Sequence, residues 1–160
     1  MVRQARVILG TTLLAGALLG CRSQSNEAAH ALLEAYMENA TGFAGARAMT
    51  TALDDQETKL ASLKGQLPKD FHDRYQRLID ITRLTIAPTI DDPSRQQIAE
   101  YVQSVTGTPP PEGANNLFVA AAFAFSEEVL RLDMLLDGET DRDKVREKYA
   151  EIIRAKQKAR

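Results

Sequence analysis

Residues 117–136 read LFVAAAFAFSEEVLRLDMLL, the most apolar stretch beyond residue 20, and their spacing decides the fold class. Apolar side chains recur every three to four positions through Phe118, Ala122, Phe125, Val129, Leu132 and Leu136, the period of an α-helix. Leu117 to Phe125 carries no charge on any side, which predicts a central helix surrounded by others, with the Phe118–Leu136 series as its core-facing spine. On that expectation, truncating Phe125 to alanine costs about 3–5 kcal/mol. Glu127 and Glu128 fall in the middle of this helix, where at least one carboxylate needs a partner from another helix.

The flanking segments have the same period. From Glu27, Leu32, Leu33, Tyr36, Met37 and Ala40 share one face, until Gly42 and Gly45 bring a kink or short break. The stripe resumes at Met49, Leu53, Leu60 and Leu63. Gly65 and Pro68 frame a tight helix–helix turn into a second helix, Pro68 to about Ala87, with Phe71, Tyr75, Leu78, Ile79, Thr82 and Ile86 inward. Asp92-Pro93 reads as an N-cap and first-turn proline opening a helix with Ile98, Tyr101, Val102 and Val105 inward, stopped by Gly107. Thr108 to Gly113, with three consecutive prolines, is an exposed connection. Beyond Gly138, Thr140 and Asp143 match a capping pattern before the stripe Val145, Tyr149, Ile152 and Ile153. No segment alternates with period two. Short connections favour antiparallel neighbours, so the expected architecture is all-α: an antiparallel up-down bundle of about five helices forming one domain over residues 27–160.

The amino terminus has a different character. Arg3 and Arg6 precede the apolar run Val7 to Leu19, small Gly20 comes next, and Leu18-Leu19-Gly20-Cys21 contains the only cysteine. A run this short does not reach the roughly 20 apolar residues that a bilayer crossing takes. The layout resembles a bacterial lipoprotein signal peptide with its lipobox. That resemblance covers residues 1–21 only. It implies cleavage after residue 20, a diacylglycerol and an N-acyl chain on Cys21, and residues 21–26 as a short lipidated tether. Arg22 stands where an aspartate would favour inner-membrane retention in Gram-negative lipoproteins, so the resemblance points to the outer membrane, facing the periplasm, for a Gram-negative source.

Removing residues 1–20 takes away two of the 20 basic residues and none of the 22 acidic ones, leaving a net charge of −4. Mild acidity argues against nucleic acid as a partner. About 140 residues form a single core without metal or disulfide staples. Glu27-Ala28-Ala29-His30 matches one Glu-x-x-His element of di-iron bundles, but the only other histidine, His72, has Lys69 three residues before it, so no metal and no other cofactor is expected. His30, Glu34 and Glu38 read as a solvated face. Asp54-Asp55 with Lys59 reads as an exposed helix pair. No nucleophile elbow, phosphate loop or haem motif occurs, so no catalytic residue and no enzymatic activity is expected. Arg154, Lys156, Lys158 and Arg160 crowd the carboxyl end, a solubilising helix terminus or a lipid-touching tail.

These readings leave two functional expectations. The first is a membrane-anchored, non-enzymatic helical binding or accessory module for a cell-envelope protein complex. The second is a carrier or sensor of a small apolar ligand, with Phe118, Ala122 and Phe125 as ligand-binding residues. An internal cavity of several hundred Å³ would favour the carrier, and an exposed apolar patch the docking module.

Overall fold

The amphipathic segments become helices because each can bury an apolar stripe only against its neighbours. The computed structural model describes residues 9–41 and 46–158 of the chain. The helices are α1 (Leu9–Thr41), α2 (Ala46–Ser62), α3 (Lys69–Thr85), α4 (Asp92–Thr106), α5 (Ala114–Leu136) and α6 (Arg142–Lys158). The chain is an all-α bundle, as its periodicity predicts. No strand occurs among the described residues, and none of the helices is long and apolar enough to cross a membrane.

The core is built from the predicted stripes. Leu32, Leu33 and Tyr36 of α1 meet Leu53 and Leu60 of α2, Phe71, Tyr75, Leu78 and Ile79 of α3, Ile98, Tyr101 and Val102 of α4, and Leu132 of α5. Three tyrosines sit deep in it. The Tyr36 hydroxyl bonds to the Thr82 hydroxyl at 2.7 Å, and the Tyr75 hydroxyl lies 3.0 Å from the Leu32 carbonyl, so these two of the three satisfy their polar ends while the rings pack. Burial pushes both hydroxyls well above the ordinary tyrosine pKa.

Several boundaries differ from the sequence reading. The helix expected from Glu27 begins earlier, at Leu9, so the polar segment of residues 22–26 is helical. Ser25 is buried and donates to Gln66 Oε1 at 2.9 Å, and Asn26 Nδ2 donates to the Leu136 carbonyl at 3.2 Å. Polarity suggested a free tether, but these two side chains find partners on the bundle. The kink expected at Gly42 to Gly45 lies outside the described residues. Beyond it the chain has reversed direction: the Tyr75 hydroxyl reaches both the Leu32 carbonyl and Gln56, while Ser25, further back on α1, meets Gln66 beyond the end of α2, so α2 packs antiparallel on α1 and the helix count rises to six. Both acidic N-caps sit one residue from the predicted position. Asp91 accepts from the Ser94 backbone N–H at 2.8 Å, and Asp141 accepts from that of Asp143 at 2.9 Å. Gly107 closes α4 in the left-handed conformation, φ 80°, as predicted. The α6 stripe of Val145, Tyr149, Ile152 and Ile153 lies outside the described side chains, as do Arg3, Arg6, the Cys21 thiol, Lys156, Lys158 and Arg160.

Neighbouring helices run antiparallel with one exception. Arg77 of α3 lies over Tyr101 of α4, and Arg74 reaches Glu128 of α5, which sets α3 against both. Helices α4 and α5 therefore run parallel: Tyr101 packs on Phe125, and Val105, four residues on, receives a bond from Arg131, six residues on. Parallel packing forces Gly107–Gly113 to run back along the bundle. The return along α5 from about residue 130 to residue 114 is about 24 Å. Eight residue steps fully extended supply about 26 Å, so the loop has little slack. Three prolines in the extended polyproline conformation suit such a strap.

Surface charge is arranged in pairs that depend on ionised carboxylates. Arg83, and after it Gln76, hold the Glu57 carboxyl below its ordinary value. Lys144, then the Asp141 backbone, do so for Glu139, and the Ser94 side chain, then its backbone N–H, for Asp91. Depressed folded-state values give stability that is present above the unfolded carboxylate pKa, about 4, and lost as pH falls through the folded values. The midpoint of urea unfolding should accordingly fall between pH 5 and 3, and a midpoint that rises on acidification would contradict this pairing.

Candidate functional site

The central helix α5 carries the residues that sequence singled out, but its buried face is turned by about one position. Leu117, Ala121, Ala124, Glu128 and Leu132 are buried, whereas Phe118 and Phe125 are half-buried and Ala122 is exposed. The spine predicted through Phe118, Ala122 and Phe125 is thus corrected in its first half, while Val129, Leu132 and Leu136 are buried as expected. The physical reason is size. Alanines at 121 and 124 let the neighbouring backbones approach closely, and phenylalanine at those depths would hold them apart.

Nor is the charge-free half of α5 fully surrounded. Val119 is 58% exposed and Phe123 55% exposed, the two large apolar side chains the bundle leaves in solvent among its described residues. They stand four residues apart and share one face. The antiparallel match of α1 and α5 places that face along the bundle axis: Asn26 bonds to Leu136, His30 to Asp133 at 2.7 Å, and Tyr36 lies beside Phe125. Phe123 is thirteen residues, about 20 Å, from the Leu136 end where α1 arrives from Cys21. His30, read as part of a solvated face, instead links α1 to α5, with Asp137 3.7 Å from its other nitrogen.

Among the clefts that border this helix, two lie along its length. An open cleft of about 370 Å³ is bounded by Tyr36, Met37, Met49, Ile86, Ala122 and Phe125. It brings together two of the three ligand-binding candidates, Ala122 and Phe125, and leaves Phe118 out. A second cleft of about 340 Å³ lies between α3, α4 and α5 and is polar. Along it, Arg74 Nε and Nη2 bind both oxygens of Glu128 at 2.7 and 2.9 Å, and Arg131 Nη2 binds Glu127 at 2.6 Å. The Glu128 side chain is 5% exposed, so the partner from another helix that sequence required for this pair is Arg74. Arg77 and Tyr101 also line it; the sequence marked Tyr101 only as an inward side chain of its helix and Arg77 not at all, because the two come from different helices. Among the described residues, no group of three or more histidine, cysteine, aspartate or glutamate side chains could hold a metal ion.

No protein-family model, no curated protein and no solved structure matches this chain.

Proposed function

We propose that the chain is a lipoprotein whose helical domain, tethered through acylated Cys21 outside the cytoplasm, docks on another envelope protein through the Val119–Phe123 face of α5. The observation that carries this reading is the exposure of two large apolar side chains one turn apart on a helix whose other large apolar side chains are buried or half-buried. Exposed apolar surface grouped in this way marks interaction sites more often than scattered single residues do. Position argues for a protein rather than the bilayer: the face lies about 20 Å along the bundle from the end at which the Cys21 segment enters. In this reading the domain performs no chemistry and needs no cofactor beyond its covalent lipid. For a Gram-negative source, Arg22 after the lipid cysteine assigns it to the outer membrane, facing the periplasm.

The test uses the full chain in its native envelope. A photo-crosslinking residue at position 123 should give one discrete protein adduct, and Val119→Glu should abolish it without lowering the melting temperature, because both positions are exposed. Adducts to lipid alone, or the same adduct from exposed Lys59 on α2, would overturn the docking face. In parallel, Cys21→Ser should stop acylation and leave the segment before residue 21 uncut. Normal processing and retention of that variant would refute the anchor.

The carrier reading keeps one observation, the open cleft bordered by Ala122 and Phe125. Asn39, Thr82, Thr85 and Ser126 also line it, and a carrier site would enclose most of its ligand.

A further inference from the structure

The polar cleft has no part in docking through Val119 and Phe123, yet its donors are arranged more specifically than packing requires. Glu128 grips Arg74 through Nε and Nη2, which fixes the guanidinium plane and leaves the N–H groups of Nη1 outside that pairing. Arg77, three residues along α3, is exposed and stacks over the Tyr101 ring at 5.6 Å, with no carboxylate partner among the described residues. Tyr101 is 2% exposed, and its hydroxyl oxygen is buried with no hydrogen-bond partner among the described residues. Native interiors rarely leave such a group unmatched. Burial, and after it the charge of Glu128, hold the hydroxyl far above its ordinary pKa, so it remains a donor.

The acceptors nearby are committed or badly placed. Glu128 is taken by Arg74, Glu127 by Arg131, and Glu139 by Lys144 at 2.8 Å. Asp70, the remaining carboxylate on the lining, stands two turns, about 10 Å, from Arg77 along α3. We propose that this cleft binds a small ligand through an anionic oxygen group, phosphate or carboxylate, seated between Arg77 and the Tyr101 hydroxyl with Arg74 beside it. Asp70 sets the rest of the specificity: the far end of the ligand is neutral or cationic, because a second negative charge there would meet the Asp70 carboxylate, which Arg74 attracts but which no hydrogen bond among the described residues holds. At about 340 Å³ the cleft is at the small end of ligand sites.

Calorimetric titration of the detergent-solubilised full chain, at constant ionic strength held with chloride, tests this with three probes: inorganic phosphate, O-phosphoethanolamine and acetate. Saturable binding of at least one is expected. O-phosphoethanolamine binding more tightly than phosphate identifies a headgroup-like zwitterion, phosphate binding best identifies a free phosphate, and acetate alone identifies a carboxylate. Arg77→Ala should weaken the binding about tenfold. Tyr101→Phe should weaken it as well while leaving the melting temperature of the free protein unchanged or higher, since the lost hydroxyl had no partner. No saturable binding of any probe, undiminished binding by Arg77→Ala, or a fall of the ligand-free melting temperature in Tyr101→Phe would each overturn the proposal. None of these readouts depends on the docking face, so the two readings fail separately.

Discussion

Arg74→Ala lowers the stability of the domain by about 3 kcal/mol, whereas Arg74→Met combined with Glu128→Leu restores most of it. The first change leaves the Glu128 carboxylate, 5% exposed, without the bidentate partner that compensates its desolvation. Breaking a buried pair costs about 3–5 kcal/mol, and the lower end applies because the Arg74 side chain is itself 36% exposed and water can follow its loss. The double change removes both charges and fills the same volume with apolar groups, which is commonly neutral or stabilising. Equilibrium urea unfolding of the two variants and of Glu128→Leu alone completes the cycle. If Arg74→Ala costs under about 1 kcal/mol, the value of an exposed surface pair, then Glu128 is solvated and the polar cleft has no rigid floor.

That pair shows how far sequence alone reaches. Glu127-Glu128 on an apolar helix announced that a cation was needed, because a buried carboxylate without one is too costly to persist. It could not name Arg74, whose position beside Glu128 depends on how α3 is placed against α5. The same division holds elsewhere. Helix existence was legible from apolar spacing, and the stops at Gly107 and Gly138 from backbone chemistry, since both adopt positive φ, whereas α2 ends at Ser62, three residues before the positive-φ Gly65. Cap positions slipped by one residue because Asp91-Asp92 and Thr140-Asp141 each offer two adjacent capping side chains. The parallel run of α4 and α5 was not legible, because short-turn reasoning says nothing about a strap of seven residues.

The misjudged face of α5 has its own cause. Burial along a helix is usually read from where charges stop, and Leu117 to Phe125 contains none. With no charge to mark solvent, three-to-four spacing alone selects the inner face, and it selects Phe118, Ala122 and Phe125. The structure buries Leu117, Ala121 and Ala124 instead, and sends Val119, Ala122 and Phe123 outward. An apolar segment that leaves a valine and a phenylalanine in solvent while it buries two alanines is poorly explained by folding stability alone, which is the argument for a partner at that face. The cleft around Arg77 and Tyr101 was invisible for the opposite reason: its groups are ordinary individually and acquire meaning only from three helices converging.

Phe71→Ala should be the more damaging of two phenylalanine truncations, by a margin that also decides between the functional readings. Phe71 is fully buried and stacked on Tyr75 at 5.8 Å, and Tyr75 in turn meets Tyr36 edge-on at 6.4 Å. Its removal leaves a cavity that three helices cannot close and costs about 3–5 kcal/mol, a large share of a domain stability of about 5–15 kcal/mol. Phe125 packs on Tyr101 at 5.9 Å on one side but faces the open apolar cleft on the other. Solvent already reaches part of its ring, so Phe125→Ala should cost about 1–2 kcal/mol, less than a fully buried position would. Thermal unfolding of both variants, with and without lipid extract, measures this. Equal losses for the two would show that the cleft beside Phe125 closes in solution and that its aromatic is core. A rise in the parent's melting temperature on adding lipid, absent in Phe125→Ala, would move the functional centre of the domain from the Val119–Phe123 face to the cleft, because a ligand raises stability only by binding the folded state.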